Sequence, residues 1–100
     1  MKEFKIVWSD NAIASLQSIK DFISDNSSVA ANKVVKGIID SVDSLEQHPH
    51  RFQEDEFIKT NPGSIRRFFK WNYRIIYEIH DSISRVEIID IIHTSRQPKF

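Results

Sequence analysis

The apolar positions of this chain change their period along its length, and the changes divide it into a strand, two helices and a strand meander. From Glu3 to Trp8 the alternation is loose, with Phe4, Ile6 and Trp8 on one side and Lys5 and Val7 on the other, which predicts a first strand. Ser9-Asp10-Asn11 then offers side-chain oxygens to the free amides of a helix start. Ala12, Ile13, Leu16, Ile19, Phe22 and Ile23 follow at helical spacing, so a first helix is expected to end near Asp25 or Asn26. Ser27 and Ser28 are caps for a second, longer helix whose apolar stripe runs from Ala30 and Ala31 through Val34, Val35, Ile38, Ile39 and Val42 to Leu45. The short gap between the two predicts an antiparallel helical hairpin. Pro49 forces a stop, because proline disfavours helical geometry in the residue before it. Gly37 is either a weak point costing up to about 1 kcal/mol against Ala or a place where the partner helix comes close.

From His50 to Ser64 periodicity fades, and Asn61-Pro62-Gly63 is a turn signature, so an irregular loop is expected, with an edge strand around Phe57 to Lys59. β-branched and aromatic residues then fill three runs: Ile65 to Phe69, Tyr73 to His80 and Val86 to His93. Asn72 suits the left-handed backbone of a tight turn, and Asp81-Ser82 marks the next hairpin. The last run is apolar apart from Glu87, Asp90 and His93, which predicts a central strand. A strand, two helices and a return to the same sheet make a crossover, so the first and last strands should pair in parallel. The expected fold class is α+β: β-α-α-β-β-β, with a helical hairpin on one face of a four-stranded, mainly antiparallel sheet, and the other face partly open.

One hundred residues predict a single domain with one modest core. There is no cysteine, hence no disulfide or thiolate metal site, and no signal-peptide pattern, so the expected location is cytoplasmic. Charged residues interrupt every apolar run short of membrane-spanning length, and no membrane role is expected. The net charge of +0 hides an asymmetry. Acids outnumber bases from Ser9 to Glu56, whereas Phe57 to Tyr77 carries Lys59, Arg66, Arg67, Lys70 and Arg74 and no acid, which predicts an acidic side and a basic side.

Strand alternation places Arg74 with Ile76, Glu78 and His80, opposite Tyr73, Ile75, Tyr77 and Ile79. Arg74 can pair with Glu78, Glu87 or Asp90, or it can offer a planar guanidinium to a phosphate. The same alternation groups His93 with Glu87, Ile89 and Ile91, either as a structural hydrogen-bonding group or as a proton-transfer group near neutral pH. Arg66 and Arg67 point to opposite faces, so at most one shares a surface with Arg74. Trp71 and Tyr73 can stack on bases or serve the core, and core is preferred for Tyr73. His48 and His50 flank Pro49 without a ligand spacing, and no metal or cofactor is expected.

Leu45-Glu46-Gln47-His48-Pro49, Ile65-Arg66-Arg67, Tyr73 to Ile79 and Val86 to Arg96, taken in order, resemble the RelE/ParE superfamily, toxins of type II toxin–antitoxin and plasmid stabilisation systems. The resemblance implies a cognate antitoxin partner that wraps the toxin, and growth inhibition when the toxin is free. For RelE-like members it implies metal-independent mRNA cleavage on the ribosome, with Arg74 stabilising the scissile phosphate, His93 transferring a proton, and Arg66, Arg67, Lys70 and Arg96 holding the nucleic acid. For ParE-like members it implies non-enzymatic poisoning of DNA gyrase. The Leu-x-x-x-Pro ending of the second helix resembles the second branch, and the tail Gln97-Pro98-Lys99-Phe100 lacks the tyrosine that many RelE-like ribonucleases carry. Both activities, and an inactive interaction domain of the same fold, stand as expectations.

Overall fold

In the computed structural model, which describes residues 3–96, Lys5–Trp8 forms strand β1, Asp10–Ser24 helix α1 and Ser28–Asp43 helix α2. Ile65–Lys70, Tyr73–His80 and Arg85–His93 form β2, β3 and β4. Both helix starts are capped as the sequence predicts: Ser9 Oγ accepts from the Ala12 amide and Ser27 Oγ from the Ala30 amide, each at 3.1 Å. Helix α2 ends at Asp43, well before Pro49, and the chain tightens into 3-10 turns at Ser44–Glu46 and Pro49–Arg51.

The sheet order is β1-β4-β3-β2, with β1 parallel to β4 and the other pairs antiparallel. The helical hairpin covers one face. There Ala12, Ile38, Val42 and Leu45 meet Phe68, Ile75, Tyr77 and Ile88, all buried. Each buried Ile, Val, Leu or Phe side chain among them contributes roughly 1.5–3 kcal/mol through removal from water, and this burial sets which side of every strand faces inward.

Three local details differ from the expectation. The edge pairing of the irregular segment falls at Glu54, which bridges Arg66, with Asp55 N donating to Ile65 O at 2.9 Å and Arg67 N to Gln53 O at 3.2 Å, so the extra edge lies upstream of Phe57. Trp71, not Asn72, takes the left-handed backbone in the β2–β3 turn, at φ 52°. What comes close to Gly37 is the Trp71 indole and not helix α1; a Cβ at Gly37 would overlap that ring. The strained turn and the missing side chain therefore belong together, since the glycine leaves room for the tryptophan.

A fourth detail sets the site. Ile76 pairs with Asp90 but Tyr77 pairs with Ile88, so Ile89 is an extra residue, a β-bulge in β4. The bulge is fastened to α1 and its cap: Ser9 Oγ donates to Ile89 O at 2.8 Å, and the Asp90 carboxylate accepts from Ser15 Oγ at 2.5 Å and from the Ile91 amide at 2.8 Å.

Candidate functional site

Arg74 lies in the middle of the sheet, paired with Phe69 on β2 and Ile92 on β4, and it projects from the face opposite the helices, as alternation predicts. That face is not open around it. The segment before β2 folds over the sheet and places Asp55 and Phe57 against the guanidinium. Arg74 is 3% exposed, its Nε lies 3.6 Å from Asp55 Oδ2, and its Cζ sits 4.3 Å from the Phe57 ring centroid, a cation–π arrangement. Asp55 Oδ1 accepts from the Phe57 amide at 2.8 Å, which closes the turn that brings both residues there. Glu78, Glu87 and Asp90, the partners expected from the sequence, do not pair with Arg74. Arg74 Nε and Nη1 and Asp55 Oδ2 are buried without a hydrogen-bond partner. The pair is held by Coulomb attraction in a low-dielectric site, the costliest way to bury charge.

The neighbouring cations are engaged as well. Arg66 projects to the helix side and donates from Nη1 to Phe52 O at 2.5 Å and to His50 O at 3.4 Å. Arg67 shares the face of Arg74, since it pairs with Ile76, and grips Glu56 through Nε at 3.0 Å and Nη2 at 2.7 Å. Arg67 holds the Glu56 carboxyl below its ordinary pKa, chiefly through these hydrogen bonds, and its own pKa is raised by them. Lys70 Nζ stands 4.6 Å above the Trp71 ring. The side chain of Arg96 lies outside the described residues. The expected basic surface is thus partly neutralised, because Asp55 and Glu56 close the acidic stretch of the sequence and fold back onto the arginines that follow it.

His93 pairs with Tyr73, whose ring meets it edge-on at 5.4 Å, and lies on the helix side. Arg74 and His93 therefore project from opposite faces, and the expectation that one register would bring them together is not met. The bulge is the reason. Were Ile89 not extra, Arg74 would pair with Ile91, and His93, two residues on, would share its face. The ring of His93 is fixed locally: Nδ1 accepts from the Ser95 amide at 3.1 Å and lies 2.8 Å from Ser95 Oγ, which leaves the neutral ring its proton on Nε2.

Sequence reasoning missed Asp55, Phe57 and Glu56 as partners of the arginines because they lie in a segment with no period. Asp55 alone carried a signal, an acid two residues before an aromatic at the boundary where the sign of the charge flips. The bulge is hard to read in β4, because the pairs Ile88-Ile89 and Ile91-Ile92 offer apolar side chains to both faces.

A helical hairpin on one face of a β1-β4-β3-β2 sheet, with arginines on the β2–β3 hairpin, is the architecture of RelE/ParE-like toxins. A family model described as the ParE toxin of type II toxin–antitoxin systems, parDE, matches residues 6–98, and the chain belongs to that family. In structure it is similar to a chain of the chromosomal ParDE toxin–antitoxin system from P. aeruginosa, at TM-score 0.73 and 19% identity over 93% of this chain and 98% of that one. It is also similar to a chain of the RelBE2 toxin–antitoxin complex from Mycobacterium tuberculosis, at TM-score 0.70 and 15% identity over 93% of each. A chain of the archaeal RelE–RelB complex from Pyrococcus horikoshii matches at TM-score 0.62 and 17% identity, over 96% of this chain and 99% of that one. No curated protein matches the chain. No helix among the described residues is long and apolar enough to cross a membrane.

Proposed function

We propose that this chain is the toxin of a ParDE-like pair, held inactive in the cytoplasm by a cognate antitoxin, and that the free toxin stops growth by poisoning DNA gyrase without cutting nucleic acid itself. The observation that carries the choice of target is the divergence of Arg74 and His93. Cleavage of mRNA by these two groups requires charge stabilisation and proton transfer at one phosphodiester, within hydrogen-bond reach of the same atoms. Arg74 instead faces Asp55 and Phe57 on one side of the sheet, and His93 faces Tyr73 and Ser95 on the other. A poison that works by binding needs a shaped surface and no such convergence. The family match to ParE toxins over residues 6–98 supports the same choice.

The test is to express the chain alone and together with its neighbouring reading frame, then map DNA breaks and mRNA 5′ ends. The reading expects arrest with broken DNA and intact mRNA, relieved by a neighbour that co-purifies with the chain. Codon-phased mRNA cuts with intact DNA would overturn the gyrase assignment in favour of ribosomal cleavage. Untouched growth with no co-purifying partner would overturn the toxin assignment itself.

A further inference from the structure

At the opposite end of β3 from the β2–β3 turn, on the face that carries Arg74, three side chains converge that neither the fold nor the proposed activity uses. Glu78 on β3 stands directly across from Glu87 on β4, and His80 follows Glu78 on the same face. Like charges directly opposite each other across a strand pair are destabilising. Here no lysine or arginine of the described residues forms an ion pair with either carboxylate; Arg85, across from His80, and Lys5, across from Arg85 on β1, are both exposed and remain apart from them. His80 Nε2 lies 3.6 Å from Glu78 Oε1 and 3.9 Å from Glu87 Oε1, and all three donor atoms fall within 4.8 Å of one another.

Those separations are informative. They are too long for hydrogen bonds, yet close to the roughly 3.3 Å edge of a tetrahedron whose ligands sit about 2.0–2.1 Å from a central zinc ion. A contraction of about 0.3–0.6 Å brings His80 to that edge length from each carboxylate, and the Glu78–Glu87 separation, within 4.8 Å, closes by at most about 1.5 Å through rotation of side chains that are about one-quarter to two-fifths exposed. Glu78 is already oriented, because Ser64 Oγ donates to its Oε2 at 2.8 Å and leaves Oε1 turned toward His80. Such a second hydrogen bond to a liganding carboxylate is the usual support of a metal site. We propose that Glu78, His80 and Glu87 bind one zinc ion, with a water in the fourth position. The donor set decides the class of ion: one imidazole with two carboxylates suits zinc, whereas calcium and magnesium prefer all-oxygen shells. The bound ion relieves the repulsion between the two facing glutamates and cross-links β3 to β4 beside the segment that leads into β2. The proposal is independent of the gyrase reading.

The experiment is calorimetric titration of zinc chloride into the 100-residue chain at neutral pH, with magnesium chloride as a parallel probe. The site predicts uptake of one zinc per chain, no comparable uptake of magnesium, and a rise in thermal midpoint with zinc. His80→Ala and Glu87→Gln, the second of which preserves side-chain shape, should each weaken uptake by about tenfold or more, while His48→Ala leaves it unchanged. Absence of stoichiometric zinc uptake, or uptake that survives both substitutions, would overturn it.

Discussion

Arg74 shows how one residue can be legible in its orientation and hidden in its environment. Strand alternation assigns its face from the sequence alone, because Tyr73, Ile75, Tyr77 and Ile79 can only be the core side. Its counter-charge comes from Asp55, in a segment without periodicity, and no pattern in β3 announces that. Removing one partner of a buried pair leaves the other uncompensated, so Asp55→Ala should cost about 3–5 kcal/mol in urea unfolding, whereas Asp55→Leu combined with Arg74→Met should recover most of the loss. Full stability in the single variant would mean that the pair is not buried as described. Tyr77 gives a second residue-scale prediction. Its Oη donates to Pro49 O at 2.6 Å in the core, and burial pushes its pKa from 10.0 up to about 12. The unfolded phenol ionises first, so the stability associated with this group is complete below pH 10 and is lost as pH rises toward about 12. Absorbance titration of the phenol should show this delayed ionisation, and Tyr77→Phe should remove that part of the alkaline slope while costing about 1–3 kcal/mol through the orphaned carbonyl. On the acid side Arg67 depresses the Glu56 pKa, so that bond contributes above the ordinary glutamate value of 4.5 and is lost as pH falls through the lower folded value. Glu56 is substantially exposed, and solvent screening limits its contribution to less than about 1 kcal/mol.

At the scale of elements, the order of strands and helices, the parallel β1–β4 pair and the helix-covered face were all readable, because each follows from apolar period and from the crossover rule. The bulge at Ile89 was not. It lies between Ile88 and Asp90 in a strand where Ile88-Ile89 and Ile91-Ile92 offer apolar side chains to both faces, so alternation does not locate an extra residue, and the contacts of Ser9 and Ser15 with β4 fasten it. This single residue moves His93 across the sheet. Asp90→Ala, which removes the acceptor of both the Ser15 hydroxyl and the Ile91 amide, should lower stability by about 1–3 kcal/mol. Deleting Ile89 should leave Asp90 opposite Ile76 and Ile88 opposite Tyr77, so Ile91 and His93 keep their faces and only the contacts of the bulge itself are lost. Hydrogen exchange showing that the deletion turns Ile91 out of the core would refute Ile89 as the extra residue. Gly37 provides a complementary test at the helix–hairpin contact. Helix propensity alone predicts that Gly37→Ala gains about 1 kcal/mol, but the added Cβ overlaps the Trp71 indole. The expected outcome is a displaced, more solvated Trp71, seen as red-shifted tryptophan emission, with no net gain in thermal midpoint.

For the whole molecule, the charge asymmetry read from the sequence becomes a set of internal pairings. The acids at Asp55 and Glu56 are spent on Arg74 and Arg67, Arg66 is tied to backbone carbonyls, and Lys70 lies over Trp71. The sequence exposes the family through the order and spacing of these residues. It does not reveal that folding draws them away from a shared phosphate-binding surface, because that depends on one loop and one bulge. Arg74 is an internal strut and His93 lies on the other face, which supports the proposal of a toxin that acts by binding. The most direct measurement combines the purified chain with DNA gyrase and supercoiled plasmid, and in parallel with programmed ribosomes and mRNA. The account predicts gyrase-dependent linear DNA that accumulates with toxin concentration and mRNA that stays whole. Ribosome-dependent cleavage of the mRNA with untouched plasmid would contradict it.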